Sequence, residues 1–266
     1  MAETGRLRLP AARPLGLPLR PVTALRIAII VAVVVIWEAV SASGWLYRDV
    51  VPSLVAIGKA LYATVSDPTF YFHLGTTAYE IGIAMVIGGL SGLAVGILLG
   101  GSKFMSRAYE AYLYYLGPCP KIIFFPIMIM WFGVGPGSKV AMGAISCFFP
   151  VALNVAGGMR EIDKVLIRVG KSFRANTWQM VTKIYLPAMR HPVINGARLG
   201  LGVALIGTLL AETKLSNRGI GFLVIQAYSI FNMPQMYALL IILFVIAIGA
   251  NTLIGRVGGL DDIKRS

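Results

Sequence analysis

Residues 74–100 read LGTTAYEIGIAMVIGGLSGLAVGILLG, an apolar block that is long enough to cross a lipid bilayer with some tilt. Gly88, Gly92, Gly96 and Gly100 recur at every fourth position within it. This spacing places the four glycines on one ridge of a helix, where the missing side chains let a neighbouring backbone approach closely. The block therefore predicts a transmembrane helix that packs tightly on another helix.

Five further apolar blocks predict a membrane protein with about six crossings and an all-α, polytopic fold. Their approximate bounds are residues 24–40, 109–132, 140–156, 193–211 and 234–254. The second of these blocks contains Pro118, Pro120 and Pro126. Each proline removes a helical hydrogen bond and bends the axis, so we expect a broken helix in this block.

The composition agrees with a membrane protein. Of the 266 residues, 57% are hydrophobic and only 13% are charged, and the mean hydropathy is +0.78; soluble domains are more polar. The net charge of +13 does not indicate nucleic-acid binding, because the cations lie between long apolar runs rather than on one water-facing surface. Cytosolic loops accumulate Lys and Arg. If both termini are cytosolic, most of the 24 cations lie on the cytosolic side of the membrane.

The two chain ends are predicted to be cytosolic tails on either side of a transmembrane domain at 24–258. Residues 1–23 carry four arginines and four prolines, which favours a flexible segment. Residues 259–266 form the short C-terminal tail.

A cleaved secretory signal is the alternative interpretation of the first apolar block. Residues 41–43 read Ser-Ala-Ser, which resembles a signal-peptidase site. The long basic leader and Glu38 within the block argue against cleavage.

The loop at residues 158–190 is too long for a simple connection, and it predicts a small folded element. Its apolar residues recur at intervals of three and four, so a helix that begins near Asp163 has one apolar stripe and a basic back. The stripe comprises Ile162, Val165, Leu166, Val169 and Phe173. Trp178, Val181, Ile184 and Tyr185 continue the pattern until Pro187 ends it.

This loop resembles the cytosolic coupling loop of ABC importer permeases, whose pattern is Glu-Ala-Ala, three residues, Gly, nine residues and Ile-x-Leu-Pro. Ile184, Leu186 and Pro187 match its end. Four more stretches resemble the nitrate, sulfonate and taurine branch of that family: WFGVGPGSK (131–139), FFPVALNVAGGMREID (148–163), ARLGLGVALIGTLLAE (197–212) and GIGFLV (219–224). The resemblance covers most of the chain from about Val51, and it implies the type I ABC importer permease fold.

The loop departs from the family pattern at two positions. The pattern's Glu falls on Arg168 and its Gly falls on Arg174. In the family, the Glu lies in a short helix that docks in a groove of the ATPase, and the Gly allows the bend that follows; here Gly170 is the candidate for a displaced bend. The two arginines predict an unusually acidic groove on the ATPase, or a second, different permease that carries the ordinary motif. The residues assigned to ATPase coupling are Asp163, Val165, Leu166, Arg168, Val169, Gly170, Phe173, Arg174, Ala175, Trp178, Leu186 and Pro187.

A translocation path has four candidate residues, and ionisable side chains within membrane helices are costly enough to suggest a function. Lys121 either offers a cation to an anionic substrate, or snorkels or pairs with a glutamate. Glu212 closes a ridge of small residues, where it is either a gate residue or an interhelical hydrogen-bond partner. The candidates are Lys121, Asn154, Thr208 and Glu212, and the ridge before Glu212 is Gly196, Gly200, Ala204 and Thr208.

The resemblance implies a permease subunit of a bacterial inner-membrane importer for a small anionic solute of the nitrate, sulfonate, bicarbonate or organic-acid type. Its expected partners are the lipid bilayer, a second permease subunit (the same chain or a homologue), two ATPase subunits and a periplasmic or lipoprotein substrate-binding protein. ATP and Mg would lie on the ATPase, and we expect no cofactor in this chain.

Catalysis and metal binding are not expected. Gly170-Lys171-Ser172 ends like a phosphate-binding loop, but Val165 stands where that loop needs a glycine. Cys119 and Cys147 lack the spacing of zinc ligands. A secondary transporter driven by an ion gradient is the alternative function, and the lack of an internal repeat disfavours it.

Overall fold

The computed structural model describes residues 21–44 and 50–257, and every regular element in these ranges is helical. Most of the predicted N-terminal tail and the C-terminal tail lie outside the described residues. The chain divides into two compact units, one up to Leu54 and one from Val55.

The first unit contains helix α1 (Pro21–Ser43), so the last three residues of the predicted tail, 21–23, are helical. Proline is tolerated in a first helical turn because its missing N–H needs no partner there. Hydrogen bonds join α1 to the chain that follows. The Trp37 indole donates to the carbonyl of Pro52 at 3.1 Å, and the backbone N–H of Leu54 donates to the Glu38 carboxylate at 3.2 Å.

The second unit contains the remaining helices. They are α2 (Leu54–Ser66, which begins one residue earlier), α3 (Pro68–Gly101), α4 (Lys103–Leu116), a 3-10 turn (Lys121–Phe124), α5 (Phe125–Phe132), α6 (Pro136–Glu161), α7 (Lys164–Ser172), α8 (Thr177–Met180), a π-helical turn (Val181–Tyr185), α9 (Leu186–Ala188), α10 (Arg190–Lys214), α11 (Ile220–Ser229) and α12 (Met233–Val257).

Five of the described helices are long and apolar enough to cross a membrane: α1, α3, α6, α10 and α12. A sixth crossing exists if α4 and the segment Lys121–Phe132 form one broken span, and these two pieces meet at 90°. Pro118 and Pro120 lie between the two pieces, as the predicted broken helix requires.

The centre of the second unit is α6, which packs against both α3 and α10. The predicted glycine ridge of α3 is confirmed. A Cβ atom on Gly92 would lie 2.8 Å from the carbonyl oxygen of Phe148, and one on Gly96 would lie 2.6 Å from the Cβ of Val155. The ridge of α10 also packs on α6, where a Cβ on Gly200 would lie 2.8 Å from the sulfur of Cys147.

Replacing Gly92 with alanine is expected to lower the free energy of unfolding by about 1–3 kcal/mol, because the added methyl group must push α3 away from α6. The control is Gly89→Ala on the same helix, since a Cβ at Gly89 meets no atom within 4 Å. This control should be neutral or slightly stabilising, because alanine favours helix more than glycine does. Thermal unfolding of the detergent-solubilised chain measures both, and equal losses would contradict the close contact.

Two ends of the second unit matter for function. The loop end is where residues 162–189 connect α6 to α10. The opposite end is where α3 and α6 begin, α10 ends and α11 begins.

Candidate functional site

Helix α7 at the loop end begins as predicted. Asp163 caps it, and its carboxylate accepts a hydrogen bond from the backbone N–H of Val165 at 2.8 Å. Ile162, in extended conformation just before the helix, turns into the core beside Met159 and Met189. It was predicted to share the exposed stripe, and this is wrong because it precedes the first helical turn. Ile162 instead anchors the loop in the bundle.

Five large apolar side chains of the loop remain exposed, and we call this set the docking patch. Phe173 is 83% exposed and Trp178 is 74% exposed. Apolar side chains of this size are normally covered by a partner when they cluster on one helix face. The docking patch comprises Val165, Leu166, Val169, Phe173 and Trp178.

Exposed cations surround the docking patch. The Nε of Arg168 donates to the carbonyl of Lys164 at 3.4 Å, and its charge faces solvent. Lys164, Lys171 and Arg174 are exposed as well. An apolar centre with a basic rim is suited to a partner surface that is apolar in the middle and acidic at its edge.

The bend after α7 lies at Arg174, and the predicted displaced bend at Gly170 is wrong. Arg174 has a φ of 51°, in the left-handed region. The N–H of Ala175 donates to the carbonyl of Gly170 and the N–H of Arg174 donates to that of Lys171, both at 3.0 Å, which is the Schellman end of a helix. Gly170 is helical and buried. A Cβ atom there would lie 2.3 Å from the Cδ1 of Ile184, so the position has no room for a side chain.

Arg174→Gly is expected to stabilise the loop by about 1 kcal/mol, because glycine adopts left-handed backbone without the clash of a Cβ atom. The rate of limited proteolysis within the loop measures the effect, and it should fall. Arg168→Gly is the matched control, since it removes the same charge inside the regular helix and should speed proteolysis. Two variants that shift in the same direction would contradict the role of backbone strain.

The second half of the loop continues through α8, the π-helical turn and α9 into α10. A capping box starts α8, in which Asn176 and Gln179 each accept the other's backbone N–H, at 2.8 and 3.0 Å. Pro187 does not end the helical pattern as predicted, since it lies in the first turn of α9. A π-helical turn precedes Pro187, and in it the backbone N–H of Leu186 donates to the carbonyl of Val181. This wider turn accommodates the backbone N–H that Pro187 lacks. Ala175 and Leu186 are half-buried, whereas Pro187 is exposed.

One bidentate ion pair joins the middle of α4 to the end of α6 near the loop. The two terminal nitrogens of Arg160 each donate to one carboxylate oxygen of Glu110, at 2.5 and 2.7 Å. This is the sole ion pair among residues 21–44 and 50–257. Bidentate pairs of this kind fix geometry as well as adding energy.

A buried carboxylate organises the opposite end. Glu212 accepts hydrogen bonds from the hydroxyl of Thr77 at 2.7 Å and from the N–H of Gly221 at 2.6 Å, and Thr77 accepts the N–H of Ile220 at 2.8 Å. Gly219 has a φ of +99°, and a Cβ there would collide with the Glu212 carboxylate at 2.3 Å. The GIG sequence is therefore required by the close approach of α11 to Glu212.

Sequence reasoning missed two members of this cluster. Lys139 is 1% exposed and donates to the carbonyls of Val134, Gly135 and Leu215. Glu80 is 2% exposed beside Glu212. Its position four residues before Ala84 and eight before Gly88 on the buried ridge was the available signal.

The four candidates for a path do not form one site. The ammonium of Lys121 donates to the carbonyls of Gly117 and Cys119 at the break between α4 and α5, and lies 4.9 Å from the centre of the Phe149 ring. Thr208 is buried between α10 and α6 against Gly143, and Glu212 holds α11. Asn154 lines two cavities, between α6 and α10 and between these helices and α12.

Comparison with known proteins places residues 88–260 in the family described as binding-protein-dependent transport system inner membrane component. The chain is 29% identical over 80% of its length to 78% of the "Putative aliphatic sulfonates transport permease protein SsuC" of Bacillus subtilis. It is 31% identical over 60% of its length to 58% of the taurine transport system permease protein TauC of Escherichia coli. It is 21% identical over 71% of its length to 68% of the nitrate import permease protein NrtB of Leptolyngbya laminosa.

Proposed function

Because the chain belongs to the family of binding-protein-dependent transport system inner membrane components, we propose that it forms the translocation path of an ATP-driven importer and binds the ATPase through the docking patch. The observation that carries this proposal is the exposed apolar surface on α7 and α8 within a basic rim. The structure of the loop supports a contact surface, since its other side is anchored in the core through Ile162 and Met189.

The proposed assembly has two permease subunits, two ATPase subunits and a periplasmic or lipoprotein substrate-binding protein. The loop end faces the cytosol of a bacterium and the opposite end faces the outside, with both termini cytosolic. ATP and Mg lie on the ATPase, and this chain carries out no covalent chemistry. The basic rim of Lys164, Arg168, Lys171 and Arg174 supports an acidic border on the matching ATPase groove.

Coupling follows from the way the loop is attached. When ATP closes the ATPase dimer, force on the docking patch passes through Ile162 to α6 and through Met189 to α10. Since α3 packs on α6 without space for side chains between them, the three helices move as one rigid body. Alternating access then arises from rotation of this body against the second permease.

The solute is proposed to be a small anion. The relatives named for aliphatic sulfonates, taurine and nitrate support this class, because all three molecules carry an oxyanion.

Reconstitution tests the proposed function. The chain, purified from its native membrane, should retain an ATPase, and proteoliposomes that contain the complex should accumulate solute only when ATP and the binding protein are supplied. Uptake driven by an ion gradient without any ATPase would instead establish the alternative, a secondary transporter.

A further inference from the structure

A cavity of about 630 Å³ lies between α6, α10 and α12, and nothing in the proposed docking mechanism uses it. One part of its wall is polar and contains the side chains of Asn154, Asn195, Arg198 and Asn251. The rest is apolar and includes Phe244 and Ile248. A large apolar cavity with a few convergent polar groups is the usual form of a site for a small organic molecule.

Arg198 is the charged residue of this cavity. It lies within α10, where its Nε donates to the amide oxygen of Asn251 at 3.0 Å. Its guanidinium carbon is 3.5 Å from where a Cβ on Gly255 would stand, so α12 passes close beside it. Among the described residues, no carboxylate forms an ion pair with Arg198.

The polar residues come from three helices at a similar depth. Arg198 is eight residues from the start of α10, Asn154 is seven from the end of α6, and Asn251 is six from the end of α12. With a rise of 1.5 Å per residue, all three lie roughly 10 Å from the loop end. Depth within the bilayer makes an unneutralised arginine costly, and a bound anion removes that cost.

We infer that this cavity is the site at which the permease receives its solute, and that the solute is an organic oxyanion with a short apolar part. The guanidinium binds the oxyanion, with the amide of Asn195 beside it, and Phe244 and Ile248 contact the apolar part. The fork of the guanidinium matches two oxygens of a sulfonate or carboxylate. This inference rests on the proposed function, which it extends by naming the residues that bind the solute.

Butanesulfonate is the probe, and the full chain in nanodiscs of zwitterionic lipid is the sample. We expect butanesulfonate to raise the midpoint of thermal unfolding in a saturable way, and nitrate to do so more weakly because it lacks the apolar part. Butylammonium at equal ionic strength should have no effect. Arg198→Gln should weaken butanesulfonate binding by about tenfold or more, since it removes a charge-assisted hydrogen-bond donor.

Asn251→Asp decides the result if Arg198→Gln does not fold. The aspartate still accepts the hydrogen bond from Arg198, but it supplies a fixed negative charge that competes with the solute, so binding should be lost in a folded protein. Arg107→Gln is the matched control, because Arg107 is exposed on α4. It should bind butanesulfonate as the unchanged chain does.

Three results would overturn the inference: wild-type binding in Asn251→Asp, equal binding of butylammonium, or displacement of butanesulfonate by phosphatidylglycerol added to the nanodiscs, which would make the cavity a lipid site. Copurification of the ATPase is measured on the same samples. If the ATPase is present and Arg198→Gln binds butanesulfonate as well as the unchanged chain does, the proposed site is wrong but the proposed importer function is retained. If the ATPase is absent from every preparation, the proposed function fails whatever the cavity binds.

Discussion

Phe173→Asp is expected to release the ATPase from the complex and to abolish ATP-driven uptake. Phe173 is 83% exposed and lies at the end of the docking patch, so its ring is free to enter a groove on the partner. Loss of a buried aromatic anchor together with burial of a carboxylate costs about 3 kcal/mol or more, which weakens association by about 100-fold. Pull-down of the ATPase with the tagged permease measures this change.

The fold should survive the substitution, because the Phe173 ring makes no contribution to the core of α6 and α10. Phe104→Asp is the matched control. Phe104 is 75% exposed, and it lies in the first turn of α4, where a carboxylate is favourable. This control should retain the ATPase. Unchanged ATPase association in Phe173→Asp, with normal thermal unfolding, would exclude the docking patch as the contact.

Glu212→Ala is expected to lower the free energy of unfolding by about 3–5 kcal/mol, a loss large enough to deplete the folded protein from membranes. The substitution leaves the Thr77 hydroxyl and the Gly221 N–H without their acceptor and removes a negative charge beside buried Lys139. The yield of monodisperse protein and the midpoint of thermal unfolding measure the loss.

Glu212→Gln separates the hydrogen bonds from the charge. The amide oxygen still accepts one hydrogen bond in the same space, so we expect a loss of about 1–2 kcal/mol. Glu161→Ala removes an exposed carboxylate at the end of α6 and should change little. If Glu212→Ala unfolds at the same temperature as Glu161→Ala, the carboxylate does not hold α11.

Local periodicity predicted the all-α membrane fold, and the helices together with the family match confirm it. The glycine ridge of α3 and the helix start at Asp163 were predictable because each depends on residues within a few positions of one another. The resemblance to the nitrate, sulfonate and taurine branch is confirmed by the relatives. Counting back from Leu186-Pro187 put the family's glycine position on Arg174, and Arg174 has left-handed backbone.

The sequence did not predict features that depend on distant residues. Lys139 looks like a loop cation until its contacts with Leu215, 76 positions later, are known. Arg198 was not singled out in the sequence, because its partner Asn251 lies on another helix, 53 positions later. Gly170 was predicted as the bend because a single sequence does not show that Gly170 packs against Ile184.

The glycine contacts between α3 and α6 also limit where a solute can travel. At Gly88 and Gly100 the two helices approach so closely that a single methyl group would lie 2.4 Å from its neighbour, which leaves no width for even a water molecule along this seam. A conduit therefore cannot pass between α3 and α6. A solute must instead travel along the faces of these two helices that point away from the seam.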